Sequence, residues 1–218
     1  AREVLDINLP GDGAPDARVD TYLSELSDDA GLLPIGPMAA FGRVVTPAEM
    51  RLEVGFDHRA WDQIVEAGSA DRHHLAIAGR FDADRVLDAI TRDVAWNDLL
   101  DANDYEGITV YGWGTDGGLD LERQTPVRSI GEYRRIALVD RYVIWTRFSD
   151  AIEAGIDAVL GLRRTLADVP ELRRLAAIAD EEELLSGHMT MRVTPYVGYA
   201  DNGRIETCLL YKSPSPRD

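Results

Sequence analysis

Apolar residues recur along this chain with two different periods, and the alternation between them predicts its elements. Val19, Tyr22, Leu23 and Leu26 fall at i, i+3, i+4 and i+7, which predicts an amphipathic helix over 16–26. The stretch from Gly31 to Pro37 then interrupts regular structure. Thr46-Pro47-Ala48-Glu49 opens a second helix with a Thr cap, Pro at the first helical position and Glu at the third, and Gly55 closes it. Asp57 is placed to cap a short helix through Trp61, Ile64 and Val65 that ends at Gly68. From His73 the period changes to two. Leu75, Ile77, Gly79 and Phe81 alternate with smaller or polar residues and read as a strand. Asp82 then caps a helix with Val86, Leu87, Ile90 and Val94 on one face.

A polar loop through Asp101 to Asp104 leads to a strand at 107–113. Strands at 134–139 and 142–147 are separated only by Asp140-Arg141, so they can pair only as an antiparallel hairpin. Arg141 is a poor occupant of the positive-φ position that a type I′ turn prefers. Ser149 caps a helix carrying Ile152, Ile156, Val159 and Leu160 and ending near Gly161. Residues 168–171 open another, with Leu172, Leu175, Ala176 and Ala179 inward. Met189, Met191 and Val193 begin a further strand, and Asp201-Asn202-Gly203 is a hairpin turn.

Antiparallel hairpins stand where a doubly wound fold would place crossover helices. The expected class is α+β, an antiparallel sheet with split β-α-β (ferredoxin-like) units and helices layered on one face. Helices 83–94 and 150–161 are expected on that shared face. The organisation reads as a helical segment over 1–70, truncated at its start, and a sheet body over 71–207 that forms one domain with it.

Charge and composition narrow the function classes. Hydrophobic residues make up 45 % and charged residues 28 % of the 218, as in folded globular chains. The 39 Asp and Glu exceed the 23 Lys and Arg, giving a net charge of −16, a field that repels phosphate backbones and anionic lipid surfaces. Nucleic acid is therefore not an expected partner. No apolar run approaches the roughly 20 residues that a bilayer crossing needs. The single Cys208 and the single Lys212 both lie in the last eleven residues, after a body whose positive charge is all arginine. This break, and a likeness of Cys208 to Asp218 to translated library-adaptor sequence, read 208–218 as a non-native tail. Ser213 to Asp218 are expected outside the core, and Cys208 to Tyr211 are apolar enough to be drawn onto a sheet.

No constellation satisfies the geometry of a common chemistry. Gly112-Trp113-Gly114-Thr115-Asp116-Gly117 matches a dinucleotide fingerprint, but Pro126 and a hairpin follow where a helix should hold the pyrophosphate. It reads as a glycine-rich turn. Asp101, Asn103, Asp104 and Glu106 crowd oxygen atoms without calcium-loop spacing, and Asp116, Asp120 and Glu122 form a similar cluster. His73 and His74 are adjacent, so a strand would point them to opposite faces, and His58 or His188 would still leave zinc short of a ligand. Ser69 follows Gly68 but lacks the second glycine of a nucleophile elbow. Trp61, Trp96, Trp113 and Trp145 sit on periodic segments and read as core. Catalytic, cofactor and metal sites are accordingly expected to be none.

From Arg51 to about Glu183 the chain resembles an uncharacterised family of exported, often lipid-anchored proteins of high-GC bacteria. The resemblance is carried by Val54-Gly55-Phe56-Asp57, Trp61-Asp62-Gln63-Ile64, Glu66-Ala67-Gly68, Ala78-Gly79-Arg80-Phe81-Asp82, Tyr105-Glu106-Gly107, Tyr111-Gly112-Trp113-Gly114, the run from Arg135 to Val143, and Leu166-Ala167-Asp168-Val169. Similar proteins usually have Gly where Arg141 stands. The resemblance implies that Ala1 to Leu5 ends a truncated helix, that the location is extracytoplasmic and cell-surface anchored, and that membranes are met only through a missing N-terminal segment. It implies a non-enzymatic binding or interaction module for a protein or small-molecule ligand. The alternative is a hydrolase using acidic residues, with or without calcium, in a cleft near loops 101–106 and 114–122.

Overall fold

A computed structural model describes residues 15–21, 45–69, 72–181, 187–190 and 207–210. Residues 9–163 form one compact unit, and 1–8 with 164–218 the other. In the larger unit, residues 16–21 are helical, and the remainder of the helix expected to Leu26 lies outside the described residues. Helix α1 (Pro47–Val54) begins on the expected capping box. Thr46 accepts from the Glu49 backbone N–H, and the Glu49 carboxylate accepts from that of Thr46. It ends at Gly55, with φ of 78°. A side chain there would be strained, and its Cβ would lie 2.4 Å from the Arg85 carbonyl of the neighbouring helix.

The segment after Asp57 departs from expectation. Asp57 caps only a 3-10 turn at His58–Ala60, and strand β1 (Trp61–Ser69) follows instead of a helix. Ile64 and Val65 are β-branched and suit a strand. The deciding interaction is non-local: β1 pairs antiparallel with β2 (Arg72–Gly79), setting Ile64 opposite Ile77.

Asp82 caps α2 (Ala83–Arg92) by accepting from the Arg85 N–H. Val86 and Ile90 are buried, whereas Leu87 and Val94 are exposed, the latter because the helix stops at Arg92. The stretch expected as a polar loop is strand β3 (Leu100–Tyr105), joined to β4 (Ile108–Trp113) through Glu106-Gly107. Its polar sequence fits its place at the sheet edge, where one side of the backbone faces away from any strand among the described residues and charge discourages pairing with other chains.

Glu106 and Gly107 both have positive φ, 52° and 77°, the pattern of a type I′ turn. Glu is poorly suited to that region. Glu106→Asn is expected to stabilise the fold by about 0.5–1 kcal/mol, read as a higher urea midpoint.

Strands β5 (Arg135–Val139) and β6 (Tyr142–Thr146) form the expected hairpin. Asp140, not Arg141, holds the positive φ (54°) at their turn, and Asp tolerates that region better. The sheet order is β1-β2-β6-β5-β4-β3, and every neighbouring pair is antiparallel. The fold is α+β. Its ferredoxin-like detail is not confirmed: β2, α2 and β3 make one crossover, but three strands separate its ends.

Helices on a single face are corrected by the packing. Leu75, Ile77, Ile136, Val143 and Trp145 meet Met50 and Val54 of α1 and Val86 and Ile90 of α2. Ala137, Val139 and Ile144, which alternate with them, meet Ile152 and Ile156 of α3 (Ser149–Val159) on the opposite face. The physical reason is legible in β5 and β6, whose apolar residues run almost without interruption, as strands covered on both faces do. Gly155 allows the close approach of α3, since a Cβ there would sit 2.9 Å from Ile144. Phe148, rather than Ser149, is the residue preceding the helix, and Leu160 is exposed.

In the other unit, a 3-10 turn at Leu166–Asp168 carries a Thr165–Asp168 capping box and precedes α4 (Pro170–Glu181). Leu172 is buried there, Leu175 half-buried and Ala176 exposed. Strand β7 (Gly187–Thr190) pairs antiparallel with β8 (Thr207–Leu210), so Cys208 stands opposite Met189. Ala1 to Leu5, Met191, Val193, the Asp201-Asn202-Gly203 turn and Ser213 to Asp218 lie outside the described residues.

Candidate functional site

The acidic cleft anticipated near 101–106 and 114–122 exists in part. A cavity of about 210 Å³ is lined by Asp101, Asn103 and Tyr105 of β3, Gly114, Arg135, and Ser149, Ile152 and Glu153 of α3, among others. Asp116 reaches its edge, accepting from the Ser149 N–H at 2.8 Å and hydroxyl at 2.9 Å. Asp120 and Glu122 do not line it. Asp120 instead pairs with Arg123 at 3.2 Å and accepts from the Glu122 N–H at 3.1 Å.

The one guanidinium in this cleft is fully engaged. Arg135 donates from Nε to the Ser149 hydroxyl, from Nη1 to the Trp113 and Arg134 carbonyls, and from Nη2 to the Gly114 carbonyl and the Asp116 carboxylate. That accounts for all five N–H donors of an arginine. Asp101 accepts from the Asn103 amide at 2.9 Å, and Asp104, which also lines the cavity, accepts from the Gly107 N–H at 3.2 Å. The arrangement braces α3 against the sheet.

His74 shares a 3.2 Å hydrogen bond with Thr146, and His58 packs on the Trp61 ring at 4.4 Å between centroids. Ser69 lies at the end of β1. Gly112 to Gly117 end β4 and turn, with no helix following. Trp96, Trp113 and Trp145 are core, and Trp61 is half-buried. Among the described residues, no three His, Cys, Asp or Glu side chains are grouped to hold a metal ion.

A second and larger concavity lies where no sequence motif marks it. An open groove of about 620 Å³ runs between α1, α2 and the 124–126 segment, lined by Arg51, Leu52, Glu53, Gly55, Arg85, Asp88, Ala89, Arg92, Asp93, Val94, Ala95, Gln124, Thr125 and Pro126. Leu52 is 78 % and Val94 87 % exposed, the two most exposed large apolar residues described. Arg51, Arg85 and Arg92 stand around them.

The floor of the groove is a hydrogen-bonded network that joins three distant segments. The buried Glu53 carboxylate accepts from the Thr125 hydroxyl at 2.5 Å and the Val127 N–H at 3.2 Å. Burial pushes its carboxyl above the usual glutamate range, opposed by these hydrogen bonds and the charge of Arg128. Thr125 also accepts from the Arg128 N–H, and Arg128 reaches Asp93 at 3.2 Å. The guanidinium carbon of Arg128 lies 4.5 Å and 4.2 Å from the ring centroids of Trp96 and Trp113. A rigid polar floor beneath exposed apolar walls is the composition expected of a ligand site.

The sequence offered a weak signal for this groove. Leu52 falls off the apolar stripe of α1, and Val94 follows Asp93 beyond the end of α2. The partners at 124–128 are about 70 residues further along than α1, and nothing local links them. Comparison with protein-family models, curated proteins and solved structures returned no match to this chain.

Proposed function

We propose that this chain is a non-enzymatic binding module whose ligand sits in the groove between α1, α2 and residues 124–126. The observation that carries this reading is the exposure of Leu52 and Val94 within a groove of about 620 Å³ floored by the buried Glu53. Cavities of roughly 300–1,000 Å³ with apolar walls and a few fixed polar groups are the usual seats of ligands. The resemblance to exported, lipid-anchored proteins supports an extracytoplasmic, surface-anchored setting. The ligand chemistry that suits the groove is an apolar group, because Leu52 and Val94 are exposed in it while its three arginines are balanced by Glu53, Asp88 and Asp93.

A fluorescence titration with 1-anilinonaphthalene-8-sulfonate, an apolar ring system with one anionic group, tests the reading. One saturable site per chain is expected, weakened at least tenfold (about 1.4 kcal/mol) by Leu52→Asp with Val94→Asp. Both residues are exposed, so folding stability should change by no more than about 0.5 kcal/mol each. Unchanged affinity in that double variant removes the groove as the seat.

One observation favours the alternative, an acidic hydrolase: Asp101, Glu153 and Gly114 do converge on a single cleft. If calcium assists there, 1 mM calcium should stabilise the fold measurably. A gain of about 3 kcal/mol would correspond to a dissociation constant of about 6 μM. The binding-module reading expects a gain below about 0.5 kcal/mol, within the range of a minor surface effect, measured as a thermal midpoint with and without chelator.

A further inference from the structure

Resting on the groove reading above, we infer that filling the groove is coupled to proton uptake by Glu53, so that the site holds an apolar ligand more tightly as the medium turns acidic. Glu53 is 7 % exposed and lines the groove beside Leu52. Among the described residues its carboxylate is held by neutral donors, the Thr125 hydroxyl and the Val127 N–H. Arg128 pairs with Asp93 at 3.2 Å rather than with Glu53. A carboxylate without a counter-ion is costly to bury. An apolar ligand seated on Leu52 and Val94 displaces water from the groove and lowers the dielectric around this charge. The neutral acid does not meet that cost, so the filled groove favours the proton.

The charges facing Glu53 from neighbouring elements do not reverse this. Arg128 opposes protonation and Asp93 favours it, and burial outweighs Arg128 and both hydrogen bonds, so the carboxyl already lies above the usual glutamate range. On α1, Arg51 is taken by Asp16 and Asp57. On α2, Arg92 pairs with Asp88, and Arg85 pairs with Asp82 of the cap.

The network also has a place for the proton. Thr125 Oγ accepts from the Arg128 N–H at 3.1 Å and donates to Glu53 at 2.5 Å. A hydroxyl oxygen has two lone pairs, so a protonated Glu53 can donate to the second as the Thr125 proton turns away. The other Glu53 oxygen keeps the Val127 N–H. The proton comes from solvent, and residues 124–128 hold their position in both states. A ligand that prefers the protonated form binds more tightly as pH falls through the titration of that group.

The test is a fluorescence titration of the full 218-residue chain with N-phenyl-1-naphthylamine, an apolar probe that stays uncharged from pH 8 to 5.5. At fixed ionic strength its affinity is expected to rise at least about threefold over that range. Circular dichroism at each pH checks that the chain is folded. Glu53→Gln copies the neutral acid, since its amide can donate to Thr125 and its carbonyl accept from Val127, and its profile should be level. Carboxyl-carbon resonances of the unaltered chain give a second reading that needs no variant: the Glu53 midpoint should move up when the probe is bound. The inference is overturned by an unmoved Glu53 midpoint, by a slope that survives Glu53→Gln, or by affinity that falls towards acid. If the probe binds in a Leu52- and Val94-dependent way with a level profile, the proton coupling alone falls. If no such binding occurs at any pH, the groove reading falls with it.

Discussion

Replacing Arg128 by Ala is expected to destabilise the 9–163 unit by about 3–5 kcal/mol, the range for removing one partner of a buried ion pair. Only 2 % of this residue is exposed. Its guanidinium lies between the Trp96 and Trp113 rings, and its loss leaves Asp93 buried without its cation and a void between two indoles. Burial pushes the Arg128 pKa down to about 10, with Asp93 and Glu53 opposing the shift, so the residue is still charged at neutral pH. Removing both charges together should be far milder. Arg128→Met with Asp93→Asn fills the volume without leaving a charge unpaired and should recover most of the loss. Urea unfolding followed by tryptophan fluorescence reads both variants. A loss below 1 kcal/mol in Arg128→Ala would show that the stacked arginine does not organise the core.

Acid should unfold this unit in two separable stages. Burial lowers the His58 pKa to about 4, with Asp57 pulling it upward and Arg59 downward, against 6.5 for the free group. The folded state therefore binds the proton less readily than the unfolded chain. Stability is full above about pH 6.5 and falls as pH drops towards 4, by about 3 kcal/mol in total. Asp57 follows at lower pH. Burial would raise its carboxyl, but hydrogen bonds from Arg59 and Arg51 outweigh that and bring it to about 2, against 3.8. Its contribution is present above pH 3.8 and is lost as pH falls through 2, at about 2 kcal/mol. Urea midpoints at pH 7, 5, 4 and 3 measure the profile, and His58→Gln should flatten the arm between 6.5 and 4. A profile that is level from pH 7 to 4 contradicts the burial of His58.

How far the fold was legible depended on whether its determinants were local. The Thr46–Glu49 box, the Asp82 cap and the Asp140-Arg141 hairpin each lie within a few residues, and each stands where the pattern placed it. Strand β1 was misread because Asp57 is a genuine cap, and only pairing with β2 shows that what it caps is one turn long. Strand β3 was misread because its side chains are polar for a position at the sheet edge that sequence does not reveal. The two covered faces were visible in Ile136-Ala137-Leu138-Val139, whose unbroken apolar run has no use in a sheet covered on one side. The acidic cleft was half legible: Asp101 and Gly114 do converge, while Asp120 turns to Arg123. The groove was not legible, because its floor joins Glu53, Asp93, Thr125 and Arg128 across about 75 residues.

Amide-resolved magnetic resonance of the labelled chain, titrated with 1-anilinonaphthalene-8-sulfonate, tests the central claim most directly. The account predicts shifts concentrated at Arg51 to Gly55, Arg85 to Ala95, and Gln124 and Thr125. Shifts concentrated instead at Asp101 to Tyr105 and Ser149 to Glu153 would move the ligand seat to the acidic cleft and contradict it.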